Sequence, residues 1–314
     1  MVINDIELFI NDKLIDIKNI LSVNFTDRAG SKSDRVTIKT FPNFPRPKPN
    51  DKIKLFFKRY EDNQNIKLKY ELNCGLFHIQ TVTRSNNQTL SFSATGVEFN
   101  DNQKIKNSQL YTNTKLSNIV NIVAKRLNHK VKFSSDDFVI KSLSQTNESD
   151  INFLDRLALD YNVLFSIKND FIYFVNKDDK TLPKVTIKAN GCKDINITHS
   201  SKTHYKSCEA SWYDNLKAKK QTVTVGNGTP VLKIKDSFND KEEAMLKAKA
   251  KLTQSKKGIV RGSLTHLGLK VYAGTKLDLV DTYNNEDDKI YSIESINHTW
   301  SRSSGWLTKI EFEN

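Results

Sequence analysis

The chain has 314 residues, which is enough for roughly two domains of ordinary size. It carries 49 Lys and Arg against 36 Asp and Glu, a formal net charge of +13. Only 37% of the residues are hydrophobic, but 17 Phe and 10 Tyr supply enough apolar surface to exclude a disordered chain. The three cysteines lie far apart in sequence and do not predict a disulfide framework.

Membrane and secretion signals are missing from the sequence. No run approaches the ~20 consecutive apolar residues of a membrane-spanning helix, and the first residues lack a secretory signal. We therefore expect synthesis in a cytosol and no stable membrane insertion. The densest basic cluster, Lys247, Lys249 and Lys251, is interpreted as one solvated face of a helix rather than a nucleic-acid patch.

The first hundred residues alternate between apolar and polar side chains, a pattern that predicts β-strands. The alternating segments begin at Ile6, Val36, Ile53, Leu76 and Leu90. A proline-rich stretch, 42–51, is predicted to be an extended crossover or edge, because proline cannot donate to a strand ladder. Residues 1–98 are therefore predicted to form a first β domain.

From Thr114 the apolar period becomes helical, which predicts an amphipathic helix as far as Leu127. A second helix is predicted from Ser149, a good capping residue, to Tyr161. The segments 163–167 and 171–175 then read as a hairpin. Together these elements predict a small α/β insert over residues 99–178.

Strand patterns return after Pro183 and continue to the end of the chain. One helix interrupts them, with Asn239 as the predicted cap and Glu242 and Glu243 in its first turn. Residues 179–314 are therefore predicted to form a second β domain with one helix.

Sequence motifs for catalysis are missing: the chain has no nucleophile elbow, no phosphate-binding loop and no His-Glu-x-x-His zinc motif. Glu148 and Asp150 are a carboxylate pair of the kind that cleaves glycans, but helix capping accounts for them. His199 and His204, with Cys208 nearby, are too few ligands for a metal site. We predict no catalytic residue, no cofactor and no metal.

The predicted strand from Lys54 to Tyr60 contains both basic and aromatic side chains, as does the sheet face of a protein that binds single-stranded nucleic acid. The same pattern also fits an exposed edge strand that lysine keeps soluble. The sequence leaves both interpretations open.

The segment around the second helix is the most specific part of the chain. It closely resembles the signature of the late control protein D family of contractile-tailed phages, which includes the hub half of VgrG proteins. The matching residues are Gln145, Glu148, Ser149, Asp150, Phe153, Leu154, Arg156, Leu157, Ala158 and Tyr161. Upstream, residues 107–119 resemble the family's short turn into a helix, and downstream Gly268 and Gly305 with Trp306 fall in the family's order. In one departure, Asn50 and Asp51 stand where relatives often have glycine.

This resemblance implies a mainly β fold with two tail-tube-like β-barrel domains and an α/β insert. Three copies would form a homotrimeric ring with pseudo-six-fold symmetry. The implied function is that of a baseplate hub, which adapts the six-fold tail tube to a three-fold central spike and forms part of the conduit. The ten signature residues would have a structural role.

The implied partners are a second and third copy of the chain, the tail-tube protein and other baseplate proteins, with DNA only as passing cargo. Because the chain ends at Asn314 directly after its last predicted strand, a separate spike protein is expected. The implied location is the virion tail baseplate, assembled in the bacterial host cytoplasm.

Three alternatives remain open from sequence. One is a tail-associated peptidoglycan hydrolase that depends on Glu148 or Asp150. Another is the hub of a type VI secretion-like system. The last is a free nucleic-acid-binding protein, which rests on the net charge alone.

Overall fold

A computed structural model of the chain describes residues 2–30, 33–62, 66–85, 89–96, 105–168, 171–177, 179, 182–201, 204–214 and 217–314. The predicted domain boundaries at 98 and 178 lie outside these residues. So does the turn of the predicted hairpin at 169–170.

Strands dominate the described part of the chain, because its sequence alternates apolar and polar residues over most of its length. They are β1 (Val2–Ile10), β2 (Lys13–Leu14), β3 (Ile20–Arg28), β4 (Arg35–Thr40), β5 (Lys52–Asp62), β6 (Ile66–Ser85), β7 (Thr89–Thr95), β8 (Lys106–Lys115), β9 (Lys130–Ser134), β10 (Val139–Ser149), β11 (Val163–Lys168), β12 (Phe171–Asn176), β13 (Lys184–Lys188), β14 (Asp194–His199), β15 (Ser207–Asp214), β16 (Lys219–Gly226), β17 (Val231–Phe238), β18 (Val260–Leu267), β19 (Lys276–Val280), β20 (Lys289–Ser301) and β21 (Gly305–Glu313).

Three α-helices occur in the same residues: α1 (Leu116–Arg126), α2 (Asp150–Tyr161) and α3 (Lys241–Ser255). All three were predicted, and α2 begins directly after its predicted cap. The first residue of α3 shows that Asn239 is not its cap. Asp240 accepts a hydrogen bond from the backbone N of Glu243 at 2.8 Å, and the Glu243 carboxylate accepts one from the backbone N of Asn239 at 3.1 Å. Asn and Asp can both cap a helix, and here Asp240 takes that position while Glu243 binds the residue before it.

Contacts divide the chain into two compact units, and the first consists of Met1–Phe99, Leu182–Thr198 and Arg261–Asn314. Its strands form one thirteen-stranded sheet in the order β14-β18-β21-β20-β3-β4-β7-β6-β5-β1-β2, with β19 pairing both β20 and β13. The antiparallel pair β3 and β20 joins the N-terminal and C-terminal strands. The two predicted β regions therefore share one sheet within this unit.

The core of the first unit also crosses that joint. Trp300 and Trp306 of the C-terminal strands pack in the same cluster as the N-terminal strands, and the rings of Phe57 and Trp306 lie 5.3 Å apart. Gly268 permits this packing, because a Cβ atom there would lie 2.2 Å from the Trp306 ring. The joint is thus fixed by ring packing as well as by backbone hydrogen bonds.

The second unit consists of Asn100–Thr181 and His199–Val260. It contains three small sheets, in the orders β10-β8, β11-β12-β9 and β16-β15-β17. The pair β11 and β12 is antiparallel, so the predicted hairpin strands are confirmed. Helices α1 and α2 share a core with the first two sheets, and α3 packs Ala244 and Ala248 against Cys208 and Ala210 of β15.

The units group the chain differently from the predicted sequence order, since residues 199–260 belong with the insert. Two ion pairs connect residues 199–260 to the insert: Asp240 lies 2.9 Å from Lys141, and Lys247 lies 2.7 Å from Asp160. The three-domain division, whose boundaries fall outside the described residues, stays a prediction.

The predicted fold class, mainly β with a small α/β part, is confirmed. One local prediction is wrong: residues 107–115 do not form a short turn but most of strand β8, because β10 pairs with them. Among the described residues, no helix combines the length and the apolar character that crossing a bilayer requires.

Candidate functional site

The signature residues lie where β10 ends and α2 begins. Ser149 caps α2 by accepting a hydrogen bond from the backbone N of Asn152 at 3.3 Å. Asp150 occupies the first turn, where the helix dipole favours a negative charge. The signature therefore runs from the end of β10 into a capped helix whose first acidic side chain points into the unit.

Asp150 is 5% exposed and is the centre of a buried polar network. The Arg126 guanidinium of α1 donates to Asp150 at 2.7 Å, to Gln145 at 2.8 Å and to the Tyr111 hydroxyl at 3.2 Å. Gln145 and Asn107 each donate an amide hydrogen to Asp150, at 2.8 Å and 3.1 Å. A buried carboxylate needs such a set of donors to offset its lost hydration. The network joins α1, β8, β10 and α2.

The apolar signature residues face the core of the second unit. Phe153, Leu154 and Leu157 have no exposed surface, and Ala158 is 3% exposed. The ring of Phe153 stacks on Tyr111 of β8 with 5.6 Å between centroids. The spacing of these residues therefore serves packing between α2 and the sheet.

Glu148 and Arg156 form a second polar cluster at the same junction. Nε and Nη2 of Arg156 both donate to the Glu148 carboxylate. Nη2 also donates to the backbone carbonyl of Ser144 at 3.0 Å. The hydrogen bond to Glu148 raises the pKa of Arg156, so the guanidinium stays charged. The Cζ atom of the Arg156 guanidinium lies 5.3 Å from the centre of the Phe153 ring. Both carboxylates of the hydrolase alternative, Glu148 and Asp150, are thus held by arginines.

Tyr161, the last signature residue, packs on α3. Its ring lies 4.7 Å from Phe138, and the Lys247 ammonium lies 4.2 Å from its centre. Burial raises the pKa of the Tyr161 hydroxyl. Because Lys247 also pairs with Asp160 and its side chain is only 13% exposed, the prediction that the lysine cluster forms one solvated helix face is wrong. Residues two apart on a helix point in nearly opposite directions.

Sequence reasoning missed Arg126 and Tyr111, which complete the buried network. Arg126 lies in the last turn of the predicted helix, where a cation is favourable, and nothing in the helical pattern marks it as part of a site. Its partner, Asp150, is 24 residues away in sequence. No local pattern indicates that pairing.

The basic and aromatic strand β5 does not form an edge, because it pairs with β1 on one side and β6 on the other. Lys58 lies 2.6 Å from Glu7 and 3.6 Å from Glu71, and these carboxylates raise its pKa. The positive charge of Lys58 is therefore matched within the protein. This arrangement disfavours the nucleic-acid interpretation of the strand.

A shallow groove of about 480 Å³ crosses β18 and β21 in the first unit. Glu311 there accepts a hydrogen bond from the Ser295 hydroxyl at 2.6 Å, and Glu313 lies 3.5 Å from Arg261. Among the described residues that line the groove, the aromatic one is Phe312, which is 2% exposed. Its ring is too buried to serve as a platform on which a sugar ring could stack.

Metal ligands and reactive thiols are not assembled in the described part of the chain. It contains no group of three or more His, Cys, Asp and Glu residues that could hold a metal ion. Cys74, Cys192 and Cys208 are free, and burial raises the pKa of all three thiols. A raised thiol pKa lowers the thiolate fraction and hence the reactivity.

No family model and no curated protein sequence matches the chain. Solved structures do. The 43 kDa tail protein of prophage MuSo2 from Shewanella oneidensis matches with a TM-score of 0.71 and 15% identity, covering 98% of this chain and 97% of that one. A tail protein from Neisseria meningitidis matches with a TM-score of 0.70 and 9% identity, covering 99% and 96%.

A third similar structure is a component of the E. coli type VI secretion system, itself described as similar to the T4 bacteriophage tail proteins gp27 and gp5. It matches with a TM-score of 0.58 and 12% identity, covering 97% of this chain and 76% of that one. The chain therefore has the fold of phage tail proteins over nearly its whole length. The type VI secretion component from E. coli shares this fold.

Proposed function

We propose that this chain is a structural hub protein in the baseplate of a contractile phage tail or of a phage-derived injection device. Three copies form a ring that meets the six-fold tail tube on one side and a three-fold central spike on the other. Its partners are two further copies, a separate spike protein, the tail-tube protein and other baseplate proteins. It is assembled in the host cytoplasm and resides at the tail tip, where DNA passes through it.

The observation that carries this proposal is the match in fold over the full length of a prophage tail protein. Both chains are covered almost completely, so the likeness includes the second unit as well as the large sheet. A shared module would match over part of one chain only. The signature at the start of α2 adds a resemblance in sequence to the same class of protein.

The ten signature side chains contact one another and their own unit. They stabilise the insert, and the surfaces of the sheets remain for assembly.

Labelling of tail particles tests this proposal. A peptide tag on the chain, expressed in the strain that produces the tail, would be labelled with gold-conjugated antibody on purified particles. We expect gold at the baseplate end of the tube. Gold along the sheath, or particles without the tagged chain, would contradict the proposal.

The hydrolase alternative has a separate test. Zymography on cell-wall material, with Glu148→Gln as the variant, should show no clearing by either protein. Clearing by the natural chain that is lost in the variant would overturn the structural role. The type VI alternative differs only in the device, and the identity of the particle that carries the gold label decides it.

A further inference from the structure

Residues 41–51, which join β4 to β5, contain no strand in the structure. Every second residue from Pro45 to Pro49 is a proline. Proline fixes its own φ, and the residue before a proline is restricted to extended backbone. The spacing therefore favours a polyproline-like conformation over this segment. We call residues 41–51 the proline strap.

Side-chain contacts hold the proline strap on the first unit. The Phe44 ring is buried and stacks on Phe92 of β7 with 6.1 Å between centroids. Asp51, the last residue of the strap, accepts a hydrogen bond from the Asn11 side chain at 2.9 Å. Asn11 lies in the turn between β1 and β2, and β2 is an edge of the sheet. The strap is therefore ordered, and its end lies beside that edge.

The outer surface of the proline strap combines prolines with cations. Pro45, Arg46, Lys48 and Pro49 are exposed, whereas Pro47 between them is buried. Polyproline segments bind aromatic side chains, because their conformation is formed in advance and little entropy is lost on binding. The two cations favour carboxylates beside the aromatic ring. The strap therefore fits a surface on which an exposed aromatic side chain lies among acidic residues.

The loop between β19 and β20, residues 281–288, has this composition. Tyr283 is 85% exposed, more than any other large apolar or aromatic side chain that the structure describes. Four of the eight loop residues are Asp or Glu, and none is basic. One of them, Glu286, is exposed and pairs with no cation within the described residues. Ile290, just after the loop, is 57% exposed and extends the apolar surface. We call residues 281–288 the tyrosine loop.

The tyrosine loop is ordered by its own contacts. The Asp288 carboxylate accepts hydrogen bonds from the backbone N of Thr282 at 2.9 Å and from the Thr282 hydroxyl at 2.6 Å. Asp281 lies 3.0 Å from Lys188 of β13, which pairs only with β19 within the described residues and so forms another edge of the sheet. An ordered loop presents its tyrosine to a binding surface at little cost in entropy.

The proline strap and the tyrosine loop lie at opposite ends of β20. The loop leads directly into this strand, whereas Arg302 follows the strand and its Cζ atom lies 5.2 Å from the ring centre of Phe41, the first residue of the strap. A strand of 13 residues is roughly 40 Å long. The strap and the loop of one copy therefore cannot contact each other, but the strap of one copy can reach the loop of another.

We propose that the proline strap of one copy docks on the tyrosine loop of the next copy. This inference rests on the proposed hub function, in which three copies form a ring. The exposed prolines pack on the Tyr283 ring, and Arg46 and Lys48 lie among the carboxylates of the loop. The contact is head-to-tail, because it joins two different surfaces beside two different edges of the sheet.

Charge favours a second copy as the occupant of the tyrosine loop. The chain has a net charge of +13, so two copies repel each other at long range. An acidic loop that faces a basic strap replaces this repulsion by attraction where the copies touch. The same chain carries both halves of the contact, and no other protein has to supply an aromatic and acidic surface.

Substitution of Tyr283 tests the apolar part of the contact. Tyr283→Ser removes the ring, and Tyr283→Phe is the matched control that retains it. We expect Tyr283→Ser to weaken self-association of the full chain about tenfold, measured by sedimentation over a range of concentrations. Tyr283→Phe should change it by less than about twofold. Because the side chain is 85% exposed, neither variant disturbs the fold. Equal self-association of the natural chain and Tyr283→Ser would overturn the inference.

A charge exchange tests the pairing of the two surfaces. Lys48→Glu and Glu286→Lys should each weaken self-association about fivefold, and the chain with both substitutions should recover to within about twofold of the natural chain. Lys309→Glu, at another exposed lysine of the first unit, is the control and should not restore association when combined with Glu286→Lys. Failure of the Lys48 and Glu286 pair to recover, or equal recovery with Lys309→Glu, would contradict the contact.

Cross-linking locates the contact directly. Natural and isotope-labelled full chains would be mixed, alone and with the candidate spike, and treated with a carbodiimide, which joins a lysine to a carboxylate without a spacer. We expect a cross-link from Lys48 to the tyrosine loop that combines one labelled and one unlabelled peptide. Cross-links between copies that never include the strap, or no cross-link between copies at all, would overturn the inference.

The hub proposal fails on a different result. Gold label away from the baseplate would remove the hub function, whereas cross-linking and charge exchange as expected would leave the contact between copies in place. Gold at the baseplate together with self-association that ignores Tyr283, Lys48 and Glu286 would remove only this contact.

Discussion

His298 lies in the middle of β20 with no exposed surface. Its ring stacks on Phe25 at 5.8 Å, and the Trp306 indole nitrogen donates to its Nδ1 at 3.2 Å. Burial lowers the pKa of His298 to about 4, from an ordinary value of 6.5. The residue is therefore neutral in the folded protein near pH 7, and it holds the joint between β3 and β20 together by packing.

Stability should fall as the pH is lowered from 6.5 towards 4. In that window the unfolded histidine binds a proton and the folded one does not, so the unfolded state is favoured as the pH falls. The loss is at most about 3 kcal/mol. Urea unfolding of the natural chain and of His298→Gln across this range measures it. A pH dependence that is unchanged in the variant would contradict this role.

Asp150→Asn should lower the free energy of unfolding by about 2 to 3 kcal/mol, because it leaves the Arg126 charge without its buried partner. Urea unfolding is the measurement. Asp155→Asn on the same helix is the matched control, because Asp155 makes no side-chain hydrogen bond within the described residues. Similar losses in both variants would show that the buried network contributes nothing specific.

At the scale of elements, α3 connects the insert to the β15 sheet through Lys247. Lys247→Ala removes the ion pair with Asp160 and the contact with the Tyr161 ring. We expect a loss of about 1 kcal/mol in urea unfolding. Lys249→Ala, an exposed lysine on the same helix, should change stability by less than about 0.5 kcal/mol. A larger loss of stability in Lys249→Ala than in Lys247→Ala would contradict a stabilising contact between Lys247 and α2.

Gly268→Ala tests the close approach of the chain to Trp306. The new methyl group would overlap the indole, so the strand or the ring must shift, at a cost of about 1 to 3 kcal/mol. Gly191→Ala is the control, because its nearest atom is 3.6 Å away. A thermal melt compares the two. Unchanged stability of Gly268→Ala would show that the packing at Trp306 can relax.

Local elements could be predicted from the sequence, but their long-range pairing could not. The apolar period places α1, α2 and the hairpin strands, because periodicity and caps are properties of neighbouring residues. The pairing of β3 with β20 joins residues more than 250 apart in sequence, as between Phe25 and His298. Strand β8 was missed because only Tyr111 is buried along it, so it lacks the alternation of a half-buried strand.

In the candidate site, too, local features could be predicted from the sequence and long-range contacts could not. Residues of α2 that are adjacent along the chain were found from the family resemblance, whereas Arg126 was not. Lys247 was misassigned for a related reason, because its partners Asp160 and Tyr161 belong to another element. Sequence spacing carries information about one helix face and none about the element that packs on it.

At the scale of the whole molecule, the central claim is that three copies assemble into a ring. In a ring of three, each copy contacts the next one head-to-tail. Each copy therefore needs two different surfaces that fit each other, and the rotation between copies must close the ring. Within the described residues the sheet of the first unit ends in β2, in β14 and, on the branch through β19, in β13, so each copy has unlike edges. Such edges are natural places for contact between subunits.

Native mass of the purified chain, alone and mixed with its candidate spike protein, tests this claim most directly. The account predicts a species near three times 36.0 kDa, alone or once the spike is added, with a ring-shaped projection in negative stain. A chain that stays monomeric with both the spike and the tube protein would contradict it.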